Sequence, residues 1–317
     1  LLVHNRNFGL LFIGQFISFI GTMITGVALP YQIYHETHST MMVGLLGLFQ
    51  LLPLLFTALI GGAFADRYHR RMLLMTTEIF MSIGCLLLAW NASLPAPHLW
   101  IIFLVSSVMS AINGLHRPAI ESMTQQLVTK NDYTTVGALV TFKFNLCMIA
   151  GPALGGLIIA HYGVTKTFIF DFSTYFVSLI ALLLMTHVPK PDMHEQDEST
   201  FQFVKSGFKY ALSRQELIGT YLVDFLAMVF GMPNALFPAI AASYGGAKTL
   251  GLLYSAPAVG GLVISLFARV FEKVKRHGAA IAMAAVFWGV SIICFGLVNH
   301  LGSALFFLAM AGVFDGI

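Results

Sequence analysis

The sequence predicts an all-α polytopic membrane protein built from two consecutive sets of helices. Three observations carry this reading: the composition, the length of the apolar runs, and an internal repeat. Of 317 residues, 57% are hydrophobic and 10% are Asp, Glu, Lys or Arg. Adding the 29 glycines raises the apolar share to roughly 66%, against about 45–50% with about 25% charged in soluble domains. The mean hydropathy is +0.82. A water-soluble globule and a disordered chain are both excluded.

A helix crossing ~30 Å of hydrocarbon at ~1.5 Å per residue needs about 20 apolar residues. Scanning for such runs predicts spans at 8–34, 41–65, 72–91 and 98–123, then 134–160 and 166–187 beyond a polar loop at 129–132. Residues 189–214 form the one long polar stretch, most hydrophilic at 193–200, and read as a linker. Further spans follow at 215–242, 248–271 and 278–298, and a tenth starts at about Leu301 and is cut off at Ile317. The chain lacks an initial Met and reads as a first helix with its start trimmed.

Lys and Arg favour cytoplasmic loops. Of the 17 Lys and Arg, only Lys166 and Lys248 fall on the side opposite the N-terminus and the linker. The N-terminus and linker are therefore expected in the cytoplasm. The net charge of +3 is spread out, without a basic block of the kind that tracks a phosphate backbone, so nucleic acid is not an expected partner. Cys85, Cys147 and Cys294 lie far apart within apolar runs, and read as packed thiols rather than disulfides or metal ligands.

The repeat sets the organisation. The stretch from Arg6 through Leu29-Pro30 to Val43-Gly44-Leu45-Leu46 recurs from Arg214 through Phe237-Pro238 to Leu250-Gly251-Leu252-Leu253, at an offset of 207 to 208. Two parallel halves joined by a cytoplasmic linker are a transporter architecture. The expected organisation is an N-terminal six-helix bundle at 1–188, a linker at 189–214 and a partial C-terminal bundle at 215–317.

The loop between the second and third spans reads Gly61-Gly62-Ala63-Phe64-Ala65-Asp66-Arg67-Tyr68-His69-Arg70-Arg71. Its glycines permit close helix approach, and Asp66 can cap a helix or pair with a guanidinium. The pattern and its position resemble the signature loop of the major facilitator superfamily. That resemblance covers the whole chain and implies two six-helix halves, the second truncated in its tenth helix. It also implies that Gly62, Asp66, Arg67, Arg70 and Arg71 form a conformational switch latching the halves together. In the second half, 269–276 keeps the charge but loses the pattern.

In the fifth span, Gly151-Pro152-Ala153-Leu154-Gly155-Gly156 combines two glycines four apart, suited to close helix contact, with a kinking proline. It is similar to the helix-5 motif of superfamily members that export substrates in exchange for protons. The stretch from Phe144-Asn145-Leu146 resembles the macrolide-efflux and siderophore-exporter branch, although Met148 stands where that branch often has Arg. Val27-Ala28-Leu29-Pro30-Tyr31-Gln32-Ile33 with Val43-Gly44-Leu45 resembles the end of helix 1 in enterobactin-type siderophore exporters.

Polar residues at helical spacing mark a face turned from lipid. Such stripes are Gln15, Ser18, Thr22 and Thr25 on the first span, Ser106, Ser110, Asn113 and Arg117 on the fourth, and Tyr221 and Asp224 on the seventh. By the resemblance these spans line the substrate cavity. Thr77 is expected on another side of a peripheral helix. A carboxylate in hydrocarbon must be protonated, paired or facing water. Asp224, about 14 Å into its span, and Asp315 are the proton-coupling candidates. Glu78 and Asp171, on helices peripheral in the family, read as structural pairs, and Glu121 as a surface or switch residue.

The expected function is a secondary exporter of a small organic, siderophore-like molecule, driven by proton antiport in a bacterial inner membrane, acting as a monomer without a cofactor. Multidrug or macrolide efflux is the alternative cargo class, and import the alternative direction. A membrane enzyme would need clustered ligands, but the eleven histidines are scattered with no H-x-x-x-H or H-E-x-x-H. His116 reads as structural or substrate-contacting. A binding-only receptor is disfavoured by the two motifs.

Overall fold

The structure is a computed structural model and describes residues 5–67, 69–186, 209, 212–266 and 277–316, the side chains of 62–67, 216, 217, 224, 230 and 277 excepted. Among the described residues it is helical without strands. The helices are α1 (Arg6–Thr37), α2 (Thr40–Arg67), α3 (Arg70–Ala92), α4 (Leu99–Leu127), α5 (Tyr133–Leu183), α6 (Gln215–Gly231), α7 (Phe237–Tyr244), α8 (Ala247–Leu266), α9 (His277–Leu297) and α10 (Leu301–Asp315). Seven helical segments are long and apolar enough to cross a membrane. The predicted linker at 189–214 lies almost wholly outside the described residues.

Local sequence explains most of the boundaries. Asn5 caps α1 by accepting from the Phe8 amide at 3.0 Å, and His38 ends it in the left-handed region at φ 50°. The predicted fifth and sixth spans meet within α5, where Gly163 at φ 81°, ψ 170° interrupts the helix. A residue without Cβ adopts that conformation without the usual steric cost, and one glycine does the work of the expected loop. The predicted seventh span, 215–242, is not continuous. Met232 is extended at φ −79°, ψ 111°, because Pro233 supplies no amide hydrogen and disfavours helical backbone before it. A turn follows, and α7 restarts with Pro238 in its first helical positions. In the other copy of the repeat, α1 runs through Pro30 without a break.

The basic end of the bundle is the end carrying the start of α1, Arg70, Arg71 and the start of α5. The larger apolar core lies at the opposite end. It joins Ile33, Leu88, Ile102 and Phe168 to Phe237, Leu253 and Leu308, so it draws on both sets of helices. A smaller core of Leu11, Leu74, Met123 and Leu182 sits at the basic end within the first set alone. Among the described residues, the larger core therefore joins the two sets at one end, and the smaller belongs to the first set alone.

Candidate transport cavity and its buried polar wall

Helix α5 holds both contacts that define the bundle. Gly151 and Gly155 lie against α1: a Cβ on Gly155 would fall 3.2 Å from the Ile24 Cα. Gly156, one residue on, turns toward α8, where a Cβ would fall 2.5 Å from the Ala247 carbonyl oxygen and 3.0 Å from the Gly251 Cα. Ser255 on α8 donates to the Ile149 carbonyl at 2.7 Å. The helix-5 stretch thus packs one edge on its own set and the other on the second set, near the end opposite the basic one.

Toward the basic end, a cavity of about 450 Å³ opens between α1, α4 and the start of α5. Phe8, Phe12 and Tyr133 give it aromatic walls, while Gln15, Glu121 and Lys143 supply polar groups. Lys143 Nζ stands 5.9 Å from the centroid of the Phe12 ring, a cation over an aromatic face. A second cavity of about 250 Å³ lies between α6, α9 and α10, lined by Tyr221, Met228, Trp288 and Asp315.

The α1 stripe divides between two environments. Gln15 lines the cavity, yet its amide also reaches inward, donating to Glu78 Oε1 at 2.5 Å. Ser18 is buried. The Thr22 and Tyr175 hydroxyls lie 2.8 Å apart, and Thr25 donates to Asp171 Oδ2 at 2.5 Å. Thus α1 turns much of its polar face toward α3 and the second limb of α5, whose residues Asp171, Thr174, Tyr175 and Ser178 share one buried face. Asp171 also accepts from Cys85 at 3.3 Å and Thr174 at 3.1 Å. A Cβ on Gly21 would fall 2.2 Å from Asp171 Oδ1, so that glycine makes room for the carboxylate.

On α4, Ser106 is buried and bonds its own helix at the Phe103 carbonyl, and Ser110 donates across to the Gln50 carbonyl of α2 at 2.8 Å. Asn113 is half-buried and Arg117 exposed. Of the switch residues, Arg70 donates to the Ser122 carbonyl at 3.3 Å and Arg71 to the Leu183 carbonyl at 2.9 Å, tying the start of α3 to the ends of α4 and α5. The side chains of Gly62, Asp66, Arg67 and Asp224 lie outside the described residues.

The network that sequence reasoning missed runs from Gln15 to His116 and Thr77. His116 Nε2 lies 3.1 Å from Gln15 Oε1, and its Nδ1 lies 2.7 Å from the Thr77 hydroxyl. Thr77 is therefore buried against α4 rather than on another side of α3. The available signal was the burial-compatible spacing of Leu74, Thr77, Glu78, Met81 and Cys85, which puts the carboxylate on the packed face of α3.

Residues 3–314 match the family described as transmembrane secretion effector. The chain is 27% identical over 310 residues to the enterobactin exporter EntS of Salmonella typhi, covering 93% of this chain and 74% of that protein. It is 29% identical over 291 residues to the corresponding exporter of Citrobacter koseri, covering 92% and 70%. Among solved structures, it resembles a bacterial homologue of the lysosomal transporter Spinster in an inward-facing conformation, with TM-score 0.64 at 15% identity over 98% of this chain and 72% of that one. It also resembles a bacterial homologue of the iron transporter ferroportin in an inward-facing state, with TM-score 0.66 at 13% identity over 98% and 82%.

Proposed function

The chain belongs to the transmembrane secretion effector family, as a multi-pass major facilitator transporter that exports a small organic molecule, and we propose that its cargo is siderophore-like and leaves by proton antiport. The observation that carries this reading is the asymmetry of the bundle. The halves pack together through Gly156, Gly251 and Ser255 toward one end, where cavities of about 260 and 170 Å³ remain, while a cavity of about 450 Å³ and one of about 250 Å³ open toward the other. With the basic end in the cytoplasm, as the distribution of Lys and Arg supports, this arrangement is inward-open. Export then requires the seam to part and the basic end to close.

Aromatic walls and the Lys143 ammonium suit a cargo with aromatic and anionic or oxygen-bearing groups, and the named relatives export enterobactin. The same walls admit amphiphilic drugs, which makes multidrug efflux the second reading. Asp224 and Asp315 are the proposed coupling carboxylates, and the site is assigned to a monomer in a bacterial inner membrane. The test is enterobactin efflux from vesicles holding the purified protein, with and without an imposed proton gradient. Gradient-dependent efflux accompanied by counterflow of protons is expected. Efflux indifferent to the gradient would exclude antiport, and no enterobactin movement beside robust drug movement would transfer the cargo to the second reading.

A further inference from the structure

We propose that Glu78, Gln15 and His116 form a further proton-binding site, linked to the transport cavity by the side chain of Gln15. The inference rests on the antiport reading and deepens it by assigning proton binding to the first set of helices.

Glu78 is wholly buried on α3. Its Oε1 accepts from Gln15 Nε2 at 2.5 Å and from Ser178 Oγ at 2.6 Å. Its Oε2 is also buried and has no hydrogen-bond partner. No Lys or Arg pairs with this carboxyl among the described residues, and the ion pair of His35 with Glu36 lies at the far end of α1. An ionised carboxylate so placed leaves charge on an uncompensated oxygen, whereas a proton on Oε2 removes that charge and disturbs neither bond on Oε1. Proton gain and loss are thereby confined to one atom.

The other half of the site follows from hydrogen-bond direction. Gln15 Oε1 can only accept, so His116 Nε2 carries a hydrogen. A neutral His116 then accepts at Nδ1 from the Thr77 hydroxyl, 2.7 Å away. A protonated His116 donates at Nδ1 instead, and the Thr77 hydroxyl turns to the Leu74 carbonyl, 2.9 Å away. Either state is fully bonded. One amide thus joins two groups that can each hold a proton, and a proton on His116 compensates a charge on Glu78.

The other ionisable groups facing this site are few. The second limb of α5 contributes Asp171 and Tyr175 toward the end opposite the basic one, and α3 contributes Cys85. The first limb of α5 contributes Tyr133 and Lys143 on the cavity wall, α4 contributes Glu121 there and the exposed Arg117 beside His116, and α1 brings none to this stretch. Because Gln15 lines the cavity, cargo that engages its amide must draw it from Glu78 or His116. Cargo binding and proton binding then compete through one side chain.

Infrared difference spectra of the purified protein in lipid vesicles, stepped from alkaline to acidic pH, test the assignment without any cargo. Among the carboxylic-acid bands that grow in on acidification, one component is expected in wild type and in Asp224→Asn, missing from Glu78→Gln, and changed in pH midpoint in His116→Gln. The same growing band in Glu78→Gln would overturn the proposal. So would a Glu78 band constant across the whole range, since a permanently neutral carboxyl is structural. Glu78→Gln keeps an acceptor for Gln15 and Ser178. Should it fail to fold, Gln15→Met serves instead, where an unchanged midpoint sinks the linkage. The underlying antiport reading fails separately, through gradient-independent enterobactin efflux by wild type with these spectra unaltered.

Discussion

Gly156 on α5 and Gly251 on α8 face each other across the two sets of helices so closely that neither has room for a side chain. A Cβ on Gly251 would fall 2.4 Å from the Pro152 carbonyl oxygen and 3.1 Å from the Gly156 Cα. These neighbours are backbone atoms, which cannot rotate aside, so any substituent must push the helices apart. The seam closing one end of the bundle therefore depends on the absence of two side chains. Ser255 adds a hydrogen bond across it, at 2.7 Å to the Ile149 carbonyl.

Gly251→Val is accordingly expected to disfavour the state sealed at this end. Overpacking costs about 1–3 kcal/mol, which moves a two-state population by roughly 5- to 150-fold. In a Ser255→Cys background, labelling by a membrane-impermeant thiol reagent applied from the end opposite the basic one should accelerate when Gly251→Val is added. Unaltered labelling with normal transport would mean that the seam tolerates the methyl groups and does not govern access.

Arg71 predicts a smaller effect of a different kind. Its guanidinium donates to the Leu183 carbonyl in the last turn of α5, where a cation meets the negative end of the helix dipole. Arg71→Ala should lower thermal stability in detergent by about 0.3–1 kcal/mol, and Arg71→Lys should recover part of that loss. A larger defect in transport than in stability would assign Arg71 to the switch as well as to this cap.

Thr25 separates buried polar contacts from decorative ones. Its hydroxyl donates to Asp171, and both residues are buried. Thr76, by comparison, is exposed and bonds the Met72 carbonyl of its own helix at 2.8 Å. Thr25→Val strips a donor from a buried carboxylate and should cost about 1–3 kcal/mol, while Thr76→Val should leave the unfolding midpoint nearly unchanged. Equal midpoints for the two variants would show that Asp171 does not depend on Thr25.

What could be read from sequence divides along physical lines. Apolar run length depends on the bilayer alone, so most spans were legible even where a proline such as Pro30 or Pro53 lies inside the helix, while Pro233 accounts for the misread seventh span. Helical spacing reports which side chains share a face, but not which neighbour that face meets. Gln15, Ser18, Thr22 and Thr25 do share a face, yet only Gln15 of them lines the cavity of α1, α4 and α5, while Thr25 serves Asp171. Thr77 and Glu78 looked peripheral because α3 is peripheral in the resembling family. Their partners His116, Gln15 and Ser178 come from three other segments, and no one-dimensional pattern joins them.

Asp224 predicts the sharpest functional loss. It sits within α6 about 14 Å from the helix start, and α6 borders the second cavity through Thr220, Tyr221, Val223, Ala227 and Met228. A carboxylate near the membrane midplane can take a proton from one side and release it to the other as access alternates, which is the least that antiport requires. If cargo and proton exclude one another, Asp224→Asn fixes the transporter in a form resembling the protonated one. Gradient-driven enterobactin efflux should then fall by roughly tenfold or more, while insertion and thermal stability stay near wild type. Proton release on adding enterobactin to vesicles is the direct measurement. Release at the wild-type level from Asp224→Asn would move the coupling residue elsewhere, to Asp315, which lines the second cavity.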